Sequence, residues 1–241
     1  MNDQVFRSTA QLVTQVVDEI VAVVQQKPDA TLCIAAGDTP IPVMRELARR
    51  ALAGEVDLSR VRFLGLDEWV GLTPQTKGTC IETLTTHLFA PAQISPRRIH
   101  FFRTDAEDLP EEIARINDFV ALHGIDYILL GIGMNGHIGF NEPGVEVTAQ
   151  AHQVALAETT KRVMRKYFDQ DFPLESGITL GFAQILAAKQ VVLMATGAQK
   201  AAIVRKTVRT APTNQLPATL LKLAAHPCRF YVDQAAGQEL E

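Results

Sequence analysis

Apolar positions recur at helical spacing between Ser8 and Gln26, where Leu12, Val16, Val17, Ile20, Val23 and Val24 share one face, and Lys27-Pro28-Asp29 closes the pattern with a turn. Thr31 to Ala35 has the length and composition of a buried strand, and PVMRELARRALAG after it is helical to Gly54. Val61 to Leu66 predicts the next strand and runs straight into Asp67-Glu68-Trp69. A polar loop from Thr73 to Thr79 then leads to a helix from Ile81 to Phe89. Ile99 to Phe102 reads as a short strand and Glu111 to His123 as a helix. The apolar run Tyr127 to Leu130 is too short for an ordinary helix and long enough for a buried strand, which stops at Gly131, Gly133 and Gly136. Beyond Pro143 the periodicity fades until Thr159. Gly177 to Leu186 resembles an extended piece followed by a helix, Gln190 to Ala195 is a buried strand, and a helix starts near Lys200. Pro217 to Leu223 predicts a final helix and Cys228 to Val232 a last strand.

Strands alternating with helices imply an α/β fold: one domain over residues 1–241, with a mainly parallel, doubly wound, Rossmann-like sheet and helices on both faces. A chain of 241 residues that is 47% hydrophobic can bury the core this requires. The formal charge of -4 and pI near 5.9 argue against a general nucleic-acid binder, which needs a basic surface, but leave room for a small anionic ligand held by two or three placed cations. Cys33, Cys80 and Cys228 are widely spaced without a CxxC, so no disulfide framework or structural zinc site is indicated, in keeping with a reducing cytoplasm. The N-terminus shows no leader pattern, and no apolar run reaches the roughly 18 residues of a membrane span. The expectation is a soluble cytoplasmic protein without a membrane partner. Nothing in the pattern decides between a monomer and a homo-oligomer.

Open α/β sheets place ligands beyond the carboxyl ends of their strands. His137 and Glu142 follow the strand at Tyr127 and are candidates for acid/base work. Asp67 and Glu68 are adjacent, so in extended chain they point to opposite faces and at most one meets a given pocket; either could instead cap a helix. Gly37-Asp38-Thr39-Pro40 joins a strand to a helix N-terminus, which is either an anion cradle or a plain turn. Thr196-Gly197-Ala198-Gln199-Lys200 repeats the arrangement, and a lysine in the first turn opposes the helix dipole, which suits an anion better than it suits stability. Lys161, Arg162, Arg165 and Lys166 form the densest basic run, an exposed helix face or a source of cations. No second histidine or cysteine lies at ligand spacing from His137 and Glu142, so no metal is expected. GIGMNG fits GxGxxG in letters but continues as HIGFNEPG rather than a helix, so no dinucleotide cofactor is expected either.

The turn at Gly37-Asp38-Thr39-Pro40, LDEWVGL from Leu66, GIGMNGHIGFNEPG from Gly131 and TGAQKA from Thr196 together resemble the glucosamine-6-phosphate deaminase family over nearly the whole chain. LDEWVGL followed by Gly78-Thr79-Cys80 is most similar to its galactosamine-6-phosphate isomerase/deaminase branch. The resemblance implies an enzyme without a cofactor that opens an amino-sugar 6-phosphate ring, moves a proton from C2 to C1 and releases ammonia to leave a ketohexose 6-phosphate. By position it implies Asp67 as the base at C2, a structural Glu68, His137 as the ring-opening acid/base, and Glu142 as the carboxylate that orients it. Lys200 matches the phosphate lysine. Lys166 falls where arginine is usual, with Arg165 as its possible substitute, and the Gly37 and Thr39 N–H groups with the Thr39 hydroxyl complete the cradle. Asn135 stands where many members have aspartate, so the histidine would have one carboxylate partner rather than two. Asp38 stands where a small neutral residue is usual, and a carboxylate there opposes a phosphate unless it points away. Two alternatives share the fold: a 6-phosphogluconolactonase, and a non-catalytic sugar-phosphate-binding regulator. The second wants an attached DNA-binding helix-turn-helix, for which the chain before its first strand has no room.

Overall fold

The computed structural model describes residues 1–240, the side chain of Met164 excepted. The strands are β1 (Asn2–Phe6), β2 (Thr31–Ile34), β3 (Arg62–Leu64), β4 (Asp67–Trp69), β5 (Ile99–His100), β6 (Tyr127–Gly131), β7 (His152–Ala155), β8 (Ser176–Thr179), β9 (Val191–Ala195) and β10 (Arg229–Asp233). The α-helices are α1 (Thr9–Gln26), α2 (Ile41–Leu52), α3 (Cys80–Leu84), α4 (Leu109–His123), α5 (Glu158–Met164), α6 (Phe182–Ala187), α7 (Ala201–Arg209) and α8 (Gln234–Gly237).

Seven strands form one parallel sheet in the order β1-β10-β9-β6-β2-β3-β5. Its central strands are apolar throughout because both faces are covered. Along β2, Leu32 and Ile34 face a core shared with α1 and α2, while Cys33 faces a second core with α4, α6 and α7; along β6, Tyr127 and Leu129 divide from Ile128 and Leu130 in the same way. Two adjacent layers are thus built from the period-2 alternation of strand side chains. After β2 the chain moves outward through β3 and β5, then returns to the other side of β2 as β6 and proceeds to β9 and β10. The order reverses between β2 and β6, so a crevice opens there at the carboxyl ends of the strands.

Several elements differ from the sequence expectation. β1 was not expected: NDQVF is exposed up to Phe6, and an edge strand whose side chains stay in solvent carries no apolar period. The strand expected over Val61 to Leu66 ends at Leu64, where Gly65 donates its N–H to His100 O, and β4 leaves the parallel sheet to start a second, three-stranded antiparallel one, β4-β8-β7. That small sheet gives the α/β architecture an unanticipated platform at the pocket. The run expected as a final helix, Pro217–Leu223, is a 3₁₀ helix, and Ile99 to Phe102 is paired only at Ile99–His100. No helix of the described residues is long and apolar enough to cross a membrane.

Candidate active site

β4 places Asp67 and Glu68 on opposite faces, both buried. Glu68 turns away from the crevice and accepts the backbone N–H groups of Trp69 (2.9 Å), Cys80 (3.0 Å) and Ile81 (2.9 Å), fastening the start of α3 to the strand. Asp67 faces the crevice. Its carboxylate accepts from the Cys80 thiol at 3.6 Å. Burial, reinforced by the charge of Glu68 and only partly opposed by the thiol, pushes the Asp67 carboxyl up to about 7. A buried carboxylate of that basicity is suited to taking a proton from carbon near neutral pH.

The loop after β6 brings His137 and Glu142 together. His137 Nδ1 lies 3.4 Å from Glu142 Oε2 and 3.2 Å from the Thr160 hydroxyl, while that hydroxyl donates to Glu142 Oε1. With its own proton committed to Glu142, Thr160 can only accept from the ring, so Nδ1 carries the hydrogen and Nε2 is left as the base. The ring is stacked on Gly133, where a Cβ would come within 2.3 Å of Nε2, so glycine is required for the histidine to sit in this position. Burial alone lifts the Glu142 carboxyl, but hydrogen bonds from His137, Thr160 and Asn135 outweigh it and hold it below the ordinary value. Among the described residues Asn135 makes no hydrogen bond to the imidazole. Its amide donates to Glu142 Oε2 at 2.8 Å and to the Thr159 hydroxyl at 3.3 Å, and its carbonyl accepts the His137 backbone N–H at 3.1 Å.

Across the crevice lie Gly37 and Thr39, in the turn between β2 and α2, together with Lys166 and Lys200. Among the described residues the N–H groups of Gly37, Asp38 and Thr39 donate no hydrogen bond within the chain. Gly197 shapes the turn before Lys200 with a φ of 85°, and its N–H is held by Asp233 at 3.0 Å. Lys200 Nζ donates to Ile132 O at 2.6 Å. Burial, then the nearby Lys166 ammonium, push the Lys200 amine down from its ordinary value, a cost that an anion between the two lysines removes. Lys166 is ion-paired with Asp38, so Asp38 points toward the cation and not away from the cradle. Burial opposes the charge of Lys166, yet the bond to Asp38 and the neighbouring Tyr167 leave its amine raised. Arg165 pairs with Asp171 on the exposed side, 3.7 Å away, outside the crevice.

The crevice therefore gathers Asp67, Asn135, His137, Gly37, Thr39, Lys166 and Lys200, with Glu142 directly behind His137. Sequence reasoning missed Thr160, whose signal was present in Thr159-Thr160 but lay under the basic run that follows, and gave Cys80 no role of its own. Among the described residues no group of three or more His, Cys, Asp or Glu side chains is placed to hold a metal ion.

The family model described as glucosamine-6-phosphate isomerases/6-phosphogluconolactonase matches residues 4–228. Glucosamine-6-phosphate deaminase 2 of Giardia intestinalis is 38% identical over 230 residues, covering 93% of this chain and 86% of that protein. The solved structure of a monomeric glucosamine-6-phosphate deaminase superposes with a TM-score of 0.94 at 29% identity, covering 99% of this chain and 100% of that one. A 6-phosphogluconolactonase structure from Trypanosoma brucei superposes with a TM-score of 0.78 at 19% identity, covering 100% of this chain and 98% of that one, a likeness of fold alone.

Proposed function

This chain belongs to the glucosamine-6-phosphate isomerase/6-phosphogluconolactonase family, and on that premise we propose that it is a hexosamine-6-phosphate deaminase. It takes an amino-sugar 6-phosphate and water to a ketohexose 6-phosphate and ammonia. The observation that carries this reading over lactone hydrolysis is Asp67: a buried carboxylate pushed up to about 7, facing the same crevice as the His137–Glu142 pair. An ester hydrolase needs one base to activate water, whereas the deaminase needs a second base for a carbon-bound proton.

The geometry supports the following roles. His137 Nε2, oriented through Nδ1 by Glu142 and Thr160, exchanges protons with the ring oxygen and the C1 hydroxyl, opening the pyranose to the aldehyde. Asp67 then takes the C2 proton. The electrons form a C1=C2 double bond and the aldehyde oxygen gains a proton, giving an enolamine. Return of a proton to C1 produces a C2 iminium, to which water adds and from which ammonia leaves. The 6-phosphate sits on the free N–H groups of Gly37 and Thr39 with Lys200 and Lys166, the charge arrangement that relieves the repulsion between those lysines. Asn135 holds Glu142 and the His137 backbone in register.

Trp69 and Cys80, which carry the likeness to the galactosamine branch, both line the crevice, while the two deaminases compared above are named for glucosamine. Both C4 epimers are therefore substrates to test. Ammonia release is measured with glucosamine 6-phosphate, galactosamine 6-phosphate and their N-acetyl forms, with 6-phosphogluconolactone hydrolysis run in parallel. Turnover of a free amino sugar with release of ammonia is expected; lactone hydrolysis without any ammonia release overturns the reading.

A further inference from the structure

The Asp67 carboxylate accepts one hydrogen bond among the described residues, from Cys80 Sγ to Oδ1 at 3.6 Å. Oδ2 lies on the side of Gly139, where an added Cβ would stand 3.5 Å from it. The backbone that carries the thiol is fixed independently of any ligand, and the Glu68 carboxylate is the other acceptor within the thiol's reach. Cys80 is the first residue of α3, its backbone N–H is held by Glu68 Oε1 at 3.0 Å, and the Thr79 hydroxyl caps the helix by accepting the Glu82 N–H at 3.3 Å. Since Glu68 follows Asp67 on β4, one strand fixes both the carboxylate and the helix that carries its donor. The other charged or titratable groups around Asp67 are Glu68 on its own strand, Cys33 on β2, and Asp38, His137, Lys166, Tyr167 and Lys200 along the crevice. Thr179 of β8 packs beside it through Gly139.

A thiol is a weak donor, about the least that can tether a carboxylate without quenching its basicity. A hydroxyl at the same place would form a stronger bond to the charged form and make a poorer base. We propose that Cys80 is a positioning residue for the C2 base: its thiol tethers Asp67 Oδ1 and turns Oδ2 toward the substrate while leaving the carboxylate reactive. The proposal rests on the reading of Asp67 as that base.

Cys80→Ser and Cys80→Ala, both close in size to cysteine, are compared with the wild type by the pH profile of kcat/KM and by carboxyl ¹³C NMR titration of Asp67. The serine variant is expected to move the Asp67 ionisation, and with it the acid limb of the profile, down by about 0.5 pH unit or more, as a stronger donor stabilises the anion. The alanine variant, with no donor, is expected to move it upward, and kcat falls several-fold in both while KM stays within about twofold. Titration curves of both variants that superimpose on the wild type overturn the tether. The NMR titration needs no turnover, so an enzyme that releases no ammonia counts against the proposed function and leaves the tether to be decided by the titration.

Discussion

Asn135 donates its side-chain N–H to Glu142 Oε2 at 2.8 Å, so the carboxylate that orients His137 is itself held by a neutral group. Asn135→Asp would put a second carboxylate at hydrogen-bond distance from the first, and two such groups do not both ionise freely. One carboxyl of the pair is expected to titrate well above the usual range, visible as a new ionisation in carboxyl NMR and absent from the wild type. A variant whose two carboxyls titrate independently and low would mean that Asn135 does not face Glu142.

Thr160 bridges His137 Nδ1 and Glu142 Oε1 through one hydroxyl. Thr160→Val keeps the shape and removes the bridge, which leaves the ring tautomer to the 3.4 Å contact with Glu142 alone. A loss of roughly tenfold in kcat with little change in KM is expected, and Thr160→Ser should recover most of it. Equal losses in both variants would point to packing of the methyl group.

Asp38 is ion-paired with Lys166, so under the proposed phosphate site it would compete with the substrate phosphate for that cation. Both side chains are more than one third exposed, so solvent screening keeps the pair weak, worth about 1 kcal/mol or less. Asp38→Asn is expected to lower KM by up to about fivefold with kcat nearly unchanged, and the gain should shrink as salt is added. A raised KM would make Asp38 a contributor to binding.

Asp67 should cost stability in proportion to its usefulness. Its carboxyl is raised from 3.8 to about 7, so between those pH values the folded protein keeps a proton that the unfolded chain gives up. The native state is therefore favoured by this group at low pH and loses that advantage as pH rises through about 7. Asp67→Asn removes the penalty, and the variant should be more stable than the wild type at pH 8 by an amount up to about 4 kcal/mol. The difference should vanish near pH 4, as thermal or denaturant melts at the two pH values would show.

The doubly wound sheet was legible because its central strands are apolar runs with helices between them, and the crevice was legible because glycine turns follow β2, β6 and β9. β1 was not, since an exposed edge strand carries no hydrophobic period. Nor was β4 as a separate strand, because the apolar run from Val61 reads straight into Asp67-Glu68-Trp69 while the chain breaks after Leu64 at Gly65. The opposite facing of Asp67 and Glu68 follows from strand geometry, and the structure has it. That Glu68 would cap α3 and Cys80 would face Asp67 depends on a contact between residues 12 or 13 apart in sequence, through a loop whose path no local pattern encodes. Lys166 and Arg165 are neighbours whose difference in facing depends on the 3₁₀ turn over Arg165–Tyr167.

The central claim is that Asp67 moves the carbon-bound proton. The direct measurement is exchange of the C2 hydrogen of the amino-sugar 6-phosphate with deuterated solvent, followed by NMR in wild type and Asp67→Asn, alongside substrate binding by calorimetry. Exchange in the wild type is expected to weaken below pH 7, and to fall at least about a hundredfold in the variant with Kd changed little. Exchange at an undiminished rate in Asp67→Asn would contradict it and place the base on another side chain.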